Sequence, residues 1–365
     1  MTKFAFIIHP LTVEDIARKY RWATWVPSRL LAGLLSRAPA RKISEITGIR
    51  SATGAETSGW FVACPLTAQQ LVNANPQHAI TKIIEAGRVA EQLGAQIVGL
   101  GAFTAVVGNG GIEVAEALDI AVTTGNSYTV FTAVEGVLEA ARQVGIESNQ
   151  AHTAVLGASG SIGRVCAHLL APQVGSLVLA GRRYEPLEQV AAELDQHNKR
   201  IDITTDVAEA LSHADLVVTV TSAVEAIIHP EMLKPGAVIC DVARPRDVSR
   251  AVADKRKDVL VIEGGVVKVP GQVQFNFDFG FPPQTAYACM AETMILALED
   301  RCENFSLGKK LDVDKVREIG QLAEKHGFHL TGFRSFEQVV SQEQIQRVRD
   351  LRQRNKQQIS DHRSP

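Results

Sequence analysis

The chain has 365 residues, 45% of them hydrophobic and 21% charged, with a net charge of −2. This composition is globular and long enough for two or three domains, and the small net charge excludes a generic polyanion binder. Five cysteines, odd in number, widely spaced and without a CxxC pair, exclude a disulfide framework and a zinc site. Charge is unevenly spread. Residues 1–50 hold nine Lys/Arg against three Asp/Glu, a net of +6; residues 342–365 carry +3, and residues 51–341 carry −11. Basic ends on an acidic body suggest an acidic partner or an anionic membrane surface, against the plainer reading of solvated helix faces.

The opening FAFIIHP reads as a strand rather than a signal peptide, which points to a cytoplasmic protein. Within residues 12–42, WATWVPSRLLAGLLSRAPARK mixes Trp, Leu and Arg. It reads as a basic amphipathic helix, suited to membrane association or a partner groove, or as a capping helix. WFVACPL is a strand, and residues 77–93 carry apolar side chains at helical spacing. The charge-free run 92–112 is broken by glycines and reads as strand plus loop, not a membrane helix. DIAVTTGN is another strand, and residues 127–144 are a helix. This alternation predicts an N-terminal α/β domain over residues 1–150, assigned to the substrate or acyl group.

From His152 the pattern runs HTAVLG, SIGRVCAHLL, SLVLAG, EPLEQVAAELDQH, LVVTVT, AVICDV and VLVIEGG. It predicts a Rossmann-type, doubly wound parallel sheet over residues 151–270. The loop after its first strand is GASGSIG: Gly157, Ser159, Gly160, Ser161, Ile162 and Gly163 are the candidate cofactor contacts. Glycines allow a tight turn and close approach to a pyrophosphate, and the following helix N-terminus favours the anion. The second strand ends in Arg182 and Arg183 rather than an acid. Two guanidinium groups match a 2′-phosphate, so NADPH is preferred over NADH. Thr221 and Ser222 end the strand LVVTVT, at the usual level of the nicotinamide ribose.

A Phe-rich stretch, QFNFDFGFPP, precedes a helix expected from about 283 to 303, and KLDVDKVREIGQLAEKHG is a further helix. Residues 271–340 are thus expected as a C-terminal helical segment, and 341–365 as a polar tail, frayed or disordered. Cys289 would lie some six residues into the first of these helices, with Glu292 near the same face. So far in, the helix dipole helps a thiolate little, and a carboxylate raises a thiol pKa. Glu292 is then a proton handler or a structural hydrogen-bonder. Most cysteines are buried and inert, and Cys64, Cys166, Cys240 and Cys302 read that way. A thiol combined with NADPH fits thioester reduction: acylation of the thiol, hydride transfer, and collapse to an aldehyde.

RSATG (50–54), LGAFT (100–104), TTGN (123–126), GASGSIG, EGGVV (263–267), YACMAETMILALE (287–299) and NFSLG (304–308) occur in one order. In these segments the chain resembles the cyanobacterial-type long-chain acyl-[acyl-carrier-protein] reductases, from about Ile46 to Phe328. The resemblance implies an NADPH-dependent reductase that forms fatty aldehydes. It makes Cys289 the nucleophile and places TTGN near the acyl or nicotinamide end, with Asn126 as a candidate catalytic residue. It further implies acyl-carrier protein or acyl-CoA as acyl donor and an aldehyde-consuming enzyme downstream. Mg2+ is compatible with such an enzyme, but no residue pattern calls for it and no metal site is expected. Two other readings compete. One is a glutamyl-tRNA reductase or shikimate dehydrogenase-like enzyme, with Cys64 as the only thiol near the N-terminus. The other is a non-catalytic NADPH-binding module. The acidic middle of the chain argues against a nucleic-acid partner.

Overall fold

A computed structural model of the chain describes residues 1–10, 25–73, 75–197, 199–336 and 338–361. The fold is α/β. Two compact units arise: Met1–Tyr128 joined by Val267–Thr331, and Thr129–Val266 joined by the segment from Gly332 onward.

The first unit opens with β1 (Lys3–Ile8), in which Phe4 to Ile7 are all buried, as a strand covered on both faces requires. Helix α1 (Ser28–Arg37) buries Leu31 and leaves Leu30 and Leu34 exposed, and Trp25 before it is exposed too; residues 12–24 of the expected segment 12–42 lie outside the described residues. Strands β2 (Arg41–Arg50) and β3 (Glu56–Ala63) pair antiparallel. Helix α2 (Ala68–Asn73) leads to α3 (Pro76–Gln92), capped by Asn75 accepting from the Gln77 N–H and burying Ile80, Ile83 and Ala86. Then come β4 (Ile97–Leu100), the short α4 (Val107–Gly110) and α5 (Ile112–Ala117), β5 (Ala121–Thr123) and the first residues of α6 (Asn126–Gln143), which from Thr129 onward belongs to the second unit.

In the second unit, β6 (His152–Leu156), α7 (Ser161–Leu170), β7 (Ser176–Ala180), α8 (Tyr184–Leu194), β8 (Arg200–Thr204), α9 (Val207–Ser212) and β9 (Leu216–Thr219) follow one another. They are completed by β10 (Val238–Asp241), α10 (Arg250–Lys255) and β11 (Leu260–Glu263). The sheet order is β11-β10-β9-β6-β7-β8 and every pairing is parallel. This is the doubly wound arrangement, with its switch point between β6 and β9.

The chain continues through β12 (Val266–Lys268), β13 (Gly271–Gln274), β14 (Thr285–Tyr287), α11 (Ala288–Leu298), α12 (Val313–His326) and β15 (His329–Leu330). Strand β13 completes a six-stranded sheet ordered β13-β2-β3-β1-β4-β5, parallel from β3 to β5. The expected separate segment 271–340 therefore divides: residues 267–331 belong to the first unit and those from 332 to the second. The reason is α11. All its residues but one are buried, so it needs a sheet to cover it, and it packs on β1, β3 and β4. Nor does this helix start near 283. Gln284 has φ +61 and Thr285–Tyr287 is extended, so the helix begins at Ala288. After β16 (Arg334–Ser335) and β17 (Gln338–Val339), the expected polar tail forms α13 (Gln342–Asp361). It buries Ile345 and Val348, and Arg352 reaches Asp215 Oδ1 and the Gly236 carbonyl. That anchoring is why it is not a free tail; residues 362–365 lie outside the described residues.

Candidate active site

Cys289 is the second residue of α11, after the N-cap Tyr287, and the one residue of this helix that is not buried. This corrects the expected depth of six residues. In the first turn the N–H groups lack intrahelical partners and the dipole acts at full strength, which favours a thiolate. Three other thiols are shut away. Burial pushes Cys64 up to about 11, Cys166 up to about 12, and Cys240 higher still. Cys302 is exposed beyond the end of α11, with Sγ 3.8 Å from Thr2 Oγ1.

The TTGN turn between β5 and α6 lies directly on the cysteine. A Cβ on Gly125 would stand 2.3 Å from both Cys289 Cα and Cβ, and Gly125 has φ +73. Only glycine fits both demands. Asn126 begins α6; it is half-exposed, and its side-chain amide makes no hydrogen bond among the described residues.

Glu292, one turn after Cys289, is fully buried. Its Oε1 accepts from Thr123 Oγ1 at 2.5 Å and Ser306 Oγ at 2.7 Å, and its Oε2 from the Tyr128 N–H at 2.8 Å. Burial pushes its carboxyl above the usual range, against the pull of these bonds and of the Gly125 N–H. Ser306 comes from NFSLG, which extends β5: the Phe305 N–H donates to the Val122 carbonyl and Thr124 Oγ1 to the Ser306 carbonyl. Three segments far apart in sequence, TTGN, YACMAE and NFSLG, thus meet at one place. Ser127 and Ser306 were not anticipated as site residues, and Thr123 only as part of TTGN. Ser306 belongs to NFSLG and Ser127 directly follows TTGN, which carries no role by itself.

Beside this site lies an aromatic cluster. Phe281 packs edge-on against Tyr287 at 4.4 Å and Phe275 edge-on against Phe279 at 5.0 Å, while Phe279 stacks on Phe281 at 5.4 Å. Phe275, Phe277, Phe279, Phe281 and Pro282 line a cavity of about 330 Å³.

In the second unit the glycine loop connects β6 to α7. Gly157 has φ +79, and a Cβ on Gly163 would stand 2.2 Å from the Gly157 carbonyl, so helix and strand pack as closely as a dinucleotide loop needs. Gly160 is the N-cap of α7 and no side chain caps that end. Ser159 and Gly160 are exposed, Ser161 and Ile162 half-exposed. Uncapped N–H groups at a glycine-rich N-terminus suit a pyrophosphate. Ser159 Oγ lies 3.3 Å from where a Gly181 Cβ would be, so the loop reaches the end of β7, where Arg182 and Arg183 follow. Both arginines are exposed and unpaired among the described residues. Ser222 is exposed, but Thr221 is already engaged: its Oγ1 donates to Asp247 Oδ1 at 2.6 Å and its N–H to Oδ2 at 3.0 Å. Its hydroxyl shapes the loop after β9.

No group of three His, Cys, Asp or Glu could hold a metal among the described residues, and no helix there is long and apolar enough to cross a membrane.

Residues 138–263 match the family described as Shikimate / quinate 5-dehydrogenase. Over 94% of its length the chain is 33% identical to Aminotransferase PigE of a Serratia species, and it spans 41% of that protein. Over 89% of its length it is 30% identical to a protein of Synechococcus elongatus named Long-chain acyl-[acyl-carrier-protein] reductase, of which it covers 98%. Among solved structures, L-tryptophan dehydrogenase from Nostoc punctiforme aligns with a TM-score of 0.41 at 13% identity, over 98% of this chain and 89% of that one.

Proposed function

This chain belongs to the long-chain acyl-[acyl-carrier-protein] reductase family, and from that premise we propose that it reduces a long-chain acyl thioester to the aldehyde through an acyl-Cys289 intermediate. One observation carries the reading: of all α11, only Cys289 is open, in the first turn and under the Gly125 backbone.

In this mechanism Cys289 Sγ bonds to the thioester carbonyl carbon and the carrier thiolate leaves, taking up a proton. Asn126, half-exposed beside Gly125, would donate to the thioester oxygen, a role its side-chain amide supports. NADPH, when bound, supplies a hydride to the carbonyl carbon, two electrons in all. The bond to Cys289 then breaks, releasing the aldehyde and regenerating the thiolate. Gly157 through Gly163 would hold the pyrophosphate, and Arg182 with Arg183 the 2′-phosphate, which supports NADPH over NADH. The aromatic-lined cavity suits an alkyl chain. An acidic acyl carrier, or the anionic CoA, has basic partners in the N-terminal fifty residues, where Arg41 and Lys42 of β2 are exposed. Exposed Trp25, Leu30 and Leu34 support contact with a membrane surface by the same region. The longer Serratia relative, named an aminotransferase, supports an amine-forming step as one consumer of the aldehyde.

Against the glutamyl-tRNA reductase-like reading, Cys64 is fully buried and its thiol is held up to about 11.

Intact-protein mass after incubation with a long-chain acyl thioester, without NADPH, tests the reading. The expected result is one acyl adduct that is absent in Cys289→Ser, with aldehyde appearing once NADPH is added. Offering the acyl group on acyl-carrier protein and on CoA in parallel identifies the donor. No adduct and no aldehyde from either donor would overturn the proposal.

A further inference from the structure

Glu292 is buried without a cation. It takes part in no ion pair among the described residues, and its surroundings are hydroxyls and backbone N–H groups from β5, the TTGN turn, α6 and the 304–308 segment. Its two oxygens differ in their company. The partner of Oε2 is the Tyr128 N–H, which, like the Gly125 N–H that also bonds the carboxyl, can only donate. The partners of Oε1 are the hydroxyls of Thr123 and Ser306, which can accept as readily as donate. A proton on Oε1 closes the network: Oε1–H donates to Ser306 Oγ, Ser306 Oγ–H to Ser127 Oγ 2.7 Å away, and the Ser127 N–H to Ser306 Oγ. Removing a lone carboxylate from water without a counter-ion is costly, and such a group neutralises instead.

Cys289 stands one turn earlier on the same helix, and Tyr128, whose N–H bonds Oε2, has its phenol kept neutral by burial. A charged Glu292 would raise the thiol pKa; an uncharged one would not. The backbone it grips is the backbone over the cysteine. Tyr128 and Thr123 flank Gly125 and Asn126, so the ties to Glu292 set where that turn rests on Cys289.

We propose that Glu292 is a positioning residue held as a neutral carboxylic acid, fixing the Gly125–Asn126 turn over Cys289 without placing a charge beside the thiolate. The proposal rests on the reading of Cys289 as the acyl-accepting thiol.

Glu292→Gln and Glu292→Ala separate the two halves of the proposal. An amide nitrogen in place of Oε1 can donate to the Ser306 hydroxyl while the amide oxygen still accepts from the Tyr128 N–H, so Gln copies the neutral acid. In the full chain, two rates are followed: alkylation of Cys289 by iodoacetamide against pH, read on the Cys289 peptide, and acylation by a long-chain acyl thioester. Glu292→Gln is expected to leave the alkylation midpoint in place and acylation within about threefold of wild type, whereas Glu292→Ala slows acylation by about tenfold or more. Ser306→Ala, which removes one tie and leaves the carboxyl in place, is expected to slow acylation in the same direction and covers the case in which Glu292→Ala does not fold. A fall of the midpoint by about one unit in Glu292→Gln would mean that an anion had stood beside the thiol, and would overturn the neutral acid. Wild-type acylation rates in both Glu292→Ala and Ser306→Ala would overturn the positioning role. If the wild type itself forms no adduct while its Cys289 alkylates normally, the acyl-enzyme reading has failed, and the alkylation midpoint still decides the charge of Glu292.

Discussion

Gly125 and Glu292 act on the same turn by opposite means, one by lacking a side chain and the other through hydrogen bonds at both carboxyl oxygens. A methyl group on Gly125 would meet Cys289 Cα and Cβ at 2.3 Å, in a backbone conformation that L side chains rarely adopt. Both costs fall on one residue, so Gly125→Ala is expected to destabilise the chain by about 1–3 kcal/mol. It should also depress acylation of Cys289 more than its loss of thermal stability explains, because the displaced atoms belong to the proposed nucleophile. Thermal midpoint and acylation rate, measured together, check this; a variant as stable and as readily acylated as wild type would refute the close packing. At this scale the sequence told part of the story. A thiol, a glycine loop and two arginines suggest thioester reduction, and the resemblance of YACMAE to the reductase family singles out Cys289 among the five cysteines. The role of Glu292 was hidden, since its partner Thr123 lies 169 residues away and nothing local distinguishes a buried acid from an exposed one.

Among the elements, legibility followed burial. The strands of the doubly wound sheet are runs such as AVL and LVVT, buried throughout, and were found where expected. Strand β8, RIDIT, lies at the sheet edge with only Thr204 buried, so its pattern is weak and it was not foreseen. Helix α11 was foreseen but begun too early, because the sequence does not disclose that Gln284 takes a positive φ and Thr285–Tyr287 pairs as a strand. The end of α11 is tied down by a polar relay. Glu299 accepts from Lys325 and bonds His326 Nε2, while His326 Nδ1 bonds Ser51 Oγ at 2.7 Å, joining α11, α12 and the β2–β3 turn. Burial raises the Glu299 pKa, but Lys325 and His326 outweigh it and the carboxyl lies below its usual range. A depressed folded-state pKa adds stability that is present above the unfolded value and is lost as pH falls through the folded one. Thermal midpoints measured from neutral to acid pH should therefore fall less steeply in Glu299→Gln, which starts from lower stability, than in wild type. Parallel curves would show that the relay contributes nothing to acid sensitivity.

For the molecule as a whole, the charge map and the cofactor choice belong together. The chain is nearly neutral overall, so the affinity for an anion must come from local clusters rather than the general field. Arg182 and Arg183 form such a cluster. They follow the end of β7, both are exposed, and neither pairs with a carboxylate among the described residues, unlike Arg164 with Glu193 or Arg256 with Asp258. Arginines kept free at the end of the second strand of a doubly wound sheet match a 2′-phosphate. Mere surface arginines would be indifferent to the cofactor. Replacing both by alanine should then weaken NADPH by about tenfold or more, since a hydrogen bond to a charged group contributes about 1.5–3 kcal/mol. NADH, lacking the phosphate, should bind as before, and added salt should erode NADPH affinity in wild type but hardly in the variant. Fluorescence titration with both nucleotides at two salt concentrations reads all of this without a turnover assay. An equal loss for both nucleotides would mean that the arginines support the loop rather than the phosphate, and no loss for either would return them to the solvent.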